Sequence, residues 1–197
     1  MTHIQRLDLI TTAVCFRLMT KEFNYWCDTN VRALYHSSGL FCEGKLMLSE
    51  QQIKDWLIKV FSQLNFNQTI GLNITVCEQD KAEIRFVWDD KLMGNPIQKI
   101  LHGGVTATAL DTVGGILAIY SRLSRHTDLT EQTLAELTGK VGTIDLRTDY
   151  LRPGRGQEFI ATAHLIRSGN KVCVCRMELH NELEEHIAYG TGTYLVG

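Results

Sequence analysis

From Met47 onward the apolar residues fall into regular order. Ser49 followed by Gln52 fits a capping box at a helix start. Ile53, Trp56, Leu57, Val60, Phe61 and Leu64 then recur at helical spacing. Leu72–Glu78 and Lys81–Asp89 read as strands. In the second, Ala82, Ile84, Phe86 and Trp88 alternate with Glu83, Arg85 and Val87, the period of two that gives a strand unlike faces. Gln79-Asp80 suits a hairpin turn between them, and Asp90–Leu101 reads as a loop around Gly94-Asn95-Pro96. Gly103–Ser121 differs in kind. It is small and apolar nearly all round, with Val105, Ala109, Leu110, Val113, Ile116 and Leu117, the pattern of a helix enclosed by other structure. The polar connection Arg122–Lys140 holds a short helix over Leu129–Leu137, with Thr130 as its N-cap. Four strands follow, about Gly142–Leu151, Glu158–Arg167, Lys171–Asn181 and Glu185–Leu195. Pro153-Gly154, Ser168-Gly169-Asn170 and Asn181-Glu182 supply their turns.

The order is helix, two strands, long buried helix, then four strands. Segregation of this kind predicts an α+β fold in which an antiparallel sheet curls around one long central helix. One folded domain is expected over 47–197. Residues 1–46 show no sustained period and read as an N-terminal extension. Two origins stay open for it: sequence upstream of a true start at Met47, or an appendage that packs on the domain.

Composition narrows the function classes. With a formal net charge of -2 the chain lacks the basic field of a phosphate-neutralising protein, so no nucleic-acid partner is expected. No apolar run approaches the ~20 residues that cross a bilayer, so no membrane insertion is expected. Ile4–Met19 contains Arg6, Asp8 and Arg17, with no small-residue cleavage site after it. It does not read as a signal peptide, and a cytoplasmic location is expected. The six cysteines form no Cys-x-x-Cys pair and match no zinc template, so they read as reduced core thiols and no metal is expected. Cys173 and Cys175 fall on the same face of one strand.

Candidate chemistry gathers at the start of the apolar helix. The first N–H groups of a helix lack internal partners. Here they follow His102-Gly103-Gly104, and the two glycines leave room for close approach by a ligand. Exposed amides and the helix dipole favour developing negative charge, so the turn can serve as an oxyanion hole. Close packing is the other use of such a glycine pair. Asp111 lies about two and a half turns into the helix among apolar neighbours. A buried carboxylate has either a partner, such as Thr108 or Thr112, or a task, such as general-base catalysis.

The chain from Gly94 to Gly197 resembles the PaaI-like branch of the hotdog-fold acyl-CoA thioesterases, and most of all the YigI-type medium- and long-chain acyl-CoA thioesterases of bacteria. The residues that carry the resemblance are Gly94-Asn95-Pro96, Ile100-Leu101-His102-Gly103-Gly104-Val105, Leu110-Asp111-Thr112, Gly142-Thr143-Ile144-Asp145-Leu146-Arg147, Tyr150-Leu151-Arg152-Pro153-Gly154 and Arg167-Ser168-Gly169-Asn170-Lys171. It reaches back weakly to Met47 and does not cover residues 1–46.

The resemblance implies a hotdog fold and hydrolysis of acyl-CoA to free acid and coenzyme A, without metal or other cofactor. It implies a homo-oligomer, a dimer or a dimer of dimers, with each site lying across a subunit interface. Gly103 would polarise the thioester carbonyl through its N–H, with Gly104 beside it in the binding turn. Asp111, nine positions after His102, would come from the other subunit, either activating water or attacking directly. His102 would fix the turn or touch substrate. Asn95 corresponds to an upstream Asn that orients water or carbonyl in relatives, although it lies seven positions before the histidine where some relatives have six. Thr143 matches a hydroxyl near the acid. Arg152, Arg155, Arg167 and Lys171 are the cations available for the coenzyme A phosphates. Two further readings compete: a thioesterase for aromatic acyl groups, and a non-catalytic acyl-CoA-binding hotdog protein.

Overall fold

The computed structural model describes residues 47–126 and 129–197. The expected N-terminal extension over 1–46 lies outside the described residues. The first helix, α1 (Glu50–Ser62), starts as its capping box predicts: the Ser49 hydroxyl accepts from Gln52 N and the Gln52 side chain accepts from Ser49 N. Ile53, Leu57 and Val60 form its buried face. The helix does not run on to Leu64. Leu64 is extended and a second helix, α2 (Asn65–Ile70), begins there. Asn67 explains the break: its side-chain amide donates to the Phe61 carbonyl at 2.9 Å, satisfying the end of α1 from inside α2.

Strands β1 (Asn73–Cys77) and β2 (Lys81–Val87) form the expected hairpin. Ala82, Ile84 and Phe86 point into the core and Val87 points out. The segment read as a loop over Asp90–Leu101 holds more structure than expected. A 3-10 turn, Asp90–Leu92, leads into a small ribbon of β3 (Met93–Asn95) against β4 (Ile100–Leu101). Strands this short leave no readable period.

The long helix α3 (Gly103–Leu123) runs two residues beyond its predicted end. Its 21 residues have the length and mean hydropathy of a membrane-crossing helix, which the apolar-run argument did not foresee. In the fold that surface is covered by protein: Ala109, Leu110, Val113, Ile116, Leu117 and Ala118 are fully buried. Helix α4 (Glu131–Thr138) follows with Thr130 as N-cap.

The last four strands are β5 (Gly142–Tyr150), β6 (Glu158–Ser168), β7 (Val172–Asn181) and β8 (His186–Leu195). With β1 and β2 they make one antiparallel sheet in the order β1-β2-β6-β7-β8-β5, so β5 forms an edge. The sheet wraps α3, which touches β2, β6, β7, β8 and β5. This is the expected α+β hotdog architecture: an antiparallel sheet around one long central helix. Cys173 and Cys175 face inward together as free thiols, their Sγ atoms 3.8 Å apart.

A β-bulge shapes the edge strand. The register of β5 against β8 shifts between Thr143 and Asp145. Cross-strand partners share a face. Thr143, Leu146, Thr148 and Tyr150 pair with Tyr194, Gly192, Gly190 and Ala188, all buried and facing α3. The extra residue therefore turns Thr143 toward the helix, where strict alternation would group it with Asp145 and Arg147.

Candidate active site

The helix α3 begins at a tightly held turn. His102 is its N-cap: the Nδ1 atom accepts from Gly104 N at 2.9 Å, and the His102 carbonyl accepts from Val105 N and Thr106 N. His102 N donates to the Leu92 carbonyl at 2.8 Å and Leu101 N donates to the Gly154 carbonyl at 2.9 Å, which anchors the turn from both sides. Gly94 is required beneath it, since a Cβ there would stand 2.6 Å from the His102 Cα.

These bonds leave one amide over. Among the described residues no acceptor meets the N–H of Gly103. Its carbonyl is held by the Tyr150 hydroxyl, which donates at 2.7 Å from the far end of β5. The first N–H of a 21-residue helix is thus presented free, at the positive end of the helix dipole, by a backbone fixed on both flanks.

Asp111 is half-buried on the same helix. The Thr108 hydroxyl, one of the two local partners that the sequence offered, bonds the Gly104 carbonyl instead. The partner comes from the sheet: the Thr143 hydroxyl donates to Asp111 Oδ1 at 2.9 Å. The Tyr194 hydroxyl donates to the Asp111 carbonyl at 3.2 Å. Burial raises the Asp111 carboxyl above its ordinary value, against the opposing pull of the Thr143 and Tyr194 hydroxyls. No cation pairs with it among the described residues. Burial, and the charge of Asp111, push the Tyr194 phenol up, which keeps it a neutral donor.

Tyr194 reaches Asp111 only because α3 has a notch for it. A Cβ on Gly114 would collide with the Tyr194 hydroxyl. Tyr150 stands in one of the matched motifs with no role assigned to it, and Tyr194 has no sequence signal at all. Both sit at long separations from the groups they hold, and no local pattern announces such contacts.

The remaining candidates divide. The Asn95 side-chain carbonyl accepts from Ile97 N and Gln98 N, so it closes its own loop. Arg152 is exposed at the Gly103 end of the sheet, where it donates to the His186 carbonyl at 3.4 Å. Arg155 donates to the Gln98 carbonyl. Arg167 and Lys171 are exposed around the β6–β7 turn, beside the other end of α3, where Ser168 meets Ser121. Eighteen residues of helix separate Gly103 from Ser121, roughly 27 Å. A single chain therefore does not bring Arg152 together with Arg167 and Lys171.

The Thioesterase superfamily model matches residues 98–187, which span the His102 turn, α3 and strands β5, β6 and β7. The chain belongs to this superfamily, and its fold is the hotdog fold. Over 132 residues it is 48% identical to the medium/long-chain acyl-CoA thioesterase YigI of Escherichia coli K12, a match covering 67% of this chain and 85% of that protein. A crystal structure of a Shewanella oneidensis protein related to the thioesterase superfamily is 48% identical, with a TM-score of 0.72 over 75% of this chain and 97% of that one. The PaaI protein of the Escherichia coli phenylacetic acid degradation operon is 17% identical and shares the fold, with a TM-score of 0.59 over 73% of this chain and 94% of that one.

Proposed function

We propose that the protein hydrolyses acyl-CoA thioesters, of medium to long acyl chain, to the free acid and coenzyme A. One observation carries the reading: a half-buried carboxylate oriented by a hydroxyl, on the helix whose first N–H is free. Asp111 acts as general base. With Oδ1 held by Thr143, the other oxygen takes a proton from water, and the hydroxide so formed attacks the thioester carbonyl. The N–H of Gly103 stabilises the oxyanion. Collapse breaks the C–S bond, and the departing thiolate of coenzyme A recovers the proton from Asp111. The raised carboxyl of Asp111 makes it a stronger base than an ordinary aspartate. His102 and Tyr150 are positioning residues for Gly103, and Arg152, exposed at that end of the sheet, is the cation we assign to a coenzyme A phosphate. The chain-length preference is supported by the likeness to YigI.

Gly103 and Asp111 of one chain are about 12 Å apart along α3, too far to share one carbonyl carbon. Strand β5 offers a solution. It is a sheet edge, with Tyr150 against Gly103 at one end and Thr143 against Asp111 at the other. Antiparallel pairing of β5 with β5 of a second copy, centred on Arg147 and with the bulge at Ile144 kept in each strand, sets Tyr150 of each copy opposite Thr143 of the other. The active unit is then a homodimer with two sites, each taking Gly103 from one subunit and Asp111 from its partner. The free thiols Cys77, Cys173 and Cys175 suit a reducing, cytoplasmic setting.

The test is thiol release from straight-chain and aromatic acyl-CoAs, with wild type and Asp111→Asn side by side. Wild type should turn over medium and long straight chains best. Asp111→Asn should lose about 100-fold or more in kcat. Hydrolysis by that variant at the wild-type rate would falsify the assignment, and binding without turnover by wild type would indicate a non-catalytic acyl-CoA receptor.

A further inference from the structure

We propose that Glu178, His180 and His186 form a binding site for a divalent transition-metal ion of the zinc class, on the outer face of the sheet. His180 on β7 and His186 on β8 are direct cross-strand partners. Their imidazole rings stack with centroids 4.4 Å apart and planes 20° from parallel. Glu178 precedes His180 by two residues on the same strand and so shares its face. One ligand atom from each of the three lies within 4.8 Å of the others. Tetrahedral zinc with nitrogen ligands needs donor atoms about 3.3 Å apart, within reach of small side-chain rotations from this arrangement.

Two features show a built arrangement. The first is a second β-bulge. The register of β7 against β8 shifts between Leu179 and His180, with Leu179 paired to Ala188 and His180 to His186. Ile187 is the extra residue, and both Ile187 and Ala188 are buried. Without the bulge, His186 would point into the core with Ala188. With it, His186 turns outward beside His180. The Asn181 turn fixes this register: its side-chain oxygen accepts from Leu183 N and Glu185 N, and its amide donates to Glu185. On the other flank the Ile187 carbonyl accepts from Leu151 N and Arg152 N.

The second feature is the state of the donor atoms. His186 Nε2 is buried and has no hydrogen-bond partner. A buried polar nitrogen of this kind is costly unless something meets it. Among the described residues Glu178 makes no ion pair with a lysine or arginine, and the His180 Nε2 lies 4.0 Å from its carboxylate. Arg176, on the same face, is occupied by the Tyr189 ring and the Thr191 hydroxyl. Two imidazoles and one carboxylate are a ligand set that zinc accepts, with the fourth position left to water. The ion would clasp the turn end of the β7–β8 hairpin.

The experiment is a zinc titration of chelator-stripped full-length protein against a chromophoric competitor, repeated with cobalt for its visible spectrum. Wild type should bind one ion per protomer at this site and melt at a higher temperature when loaded. The double variant His180→Ala/His186→Ala should lose affinity at least about 100-fold. Glu178→Gln, a milder change that keeps the hairpin, should weaken binding and alter the cobalt spectrum. Binding of equal strength by wild type and both variants would place the ion elsewhere, for instance on cysteines, and overturn the proposal. So would an absence of stoichiometric binding by wild type. Metal binding is read here independently of thioester hydrolysis, so neither result decides the other.

Discussion

Thr143 and Asp111 lie 32 residues apart in sequence, yet the Thr143 hydroxyl donates to the Asp111 carboxylate at 2.9 Å. The bond joins the edge strand to the central helix and pulls against the burial that raises the carboxyl. Removing it in Thr143→Val leaves burial less opposed, so the Asp111 carboxyl moves further up. A base works only when deprotonated. The acidic limb of the kcat/KM profile should therefore shift to higher pH in Thr143→Val and stay in place in Thr143→Ser. Coincident profiles for wild type and Thr143→Val would separate Thr143 from the chemistry.

The same shift has a thermodynamic consequence. A carboxyl raised in the folded state holds its proton more tightly there than in the unfolded chain. Its stabilising contribution is full below the unfolded value and is lost as pH rises through the folded one. Near about pH 7 the charged Asp111 burdens the fold. Asp111→Asn should thus melt at a higher temperature than wild type near neutrality, with the gap closing once pH falls below the ordinary carboxylate range. Thermal melts of both proteins across that range check the prediction.

His102 caps α3 through Nδ1. His102→Ala should cost about 0.5–2 kcal/mol in urea unfolding. His102→Asn, which can cap the same amide, should recover most of it. If His102 acts by positioning Gly103, kcat should follow the same order, Asn above Ala.

Gly103 is the first residue of α3, the position where a helix accepts proline, and the preceding His102 has the extended backbone that a following proline needs. Gly103→Pro removes the free N–H without breaking a helical hydrogen bond, and should lower kcat about 100-fold or more. Mixing unfolded Gly103→Pro and Asp111→Asn chains and refolding them together gives the sharper test. Random pairing makes half the dimers mixed, and each mixed dimer holds one intact site, so activity should return to about a quarter of wild type. No recovery would show that each site belongs to one chain.

Gly114→Ala should force Tyr194 out of its notch on α3. The overpacking should cost about 1–3 kcal/mol by denaturant titration.

Much of this molecule is legible in its sequence. The capping box at Ser49, the alternation of Ala82, Ile84 and Phe86, and the unbroken apolar surface of α3 are local patterns, and each became the expected element. The motif residues His102, Gly103 and Asp111 were also visible, because a glycine turn before an apolar helix and an acid within it are local anomalies. Of the holding contacts only Thr143 is foreshadowed, as a hydroxyl near the acid by the family resemblance, and periodicity shows none of them. Thr143 faces α3 because of a bulge at Ile144, and Tyr194 meets Asp111 from 83 residues away. Periodicity assumes regular pairing, so it fails where one extra residue resets the faces. The break at Leu64 was hidden for a similar reason: Asn67 folds back to cap α1 through a contact that no helical period encodes.

Strand β5 has a cost when it stands alone. As an edge it offers unpaired backbone groups, with Ile144, Tyr150 and Leu151 exposed along and just beyond it. Such a strand is a template for pairing with any chain it meets. Under the proposed assembly, the surface that completes catalysis also quenches that stickiness. A protomer stripped of its partner by dilution would lose turnover and colloidal safety in one step, so its inactivation would tend toward aggregation and away from a reversible resting monomer.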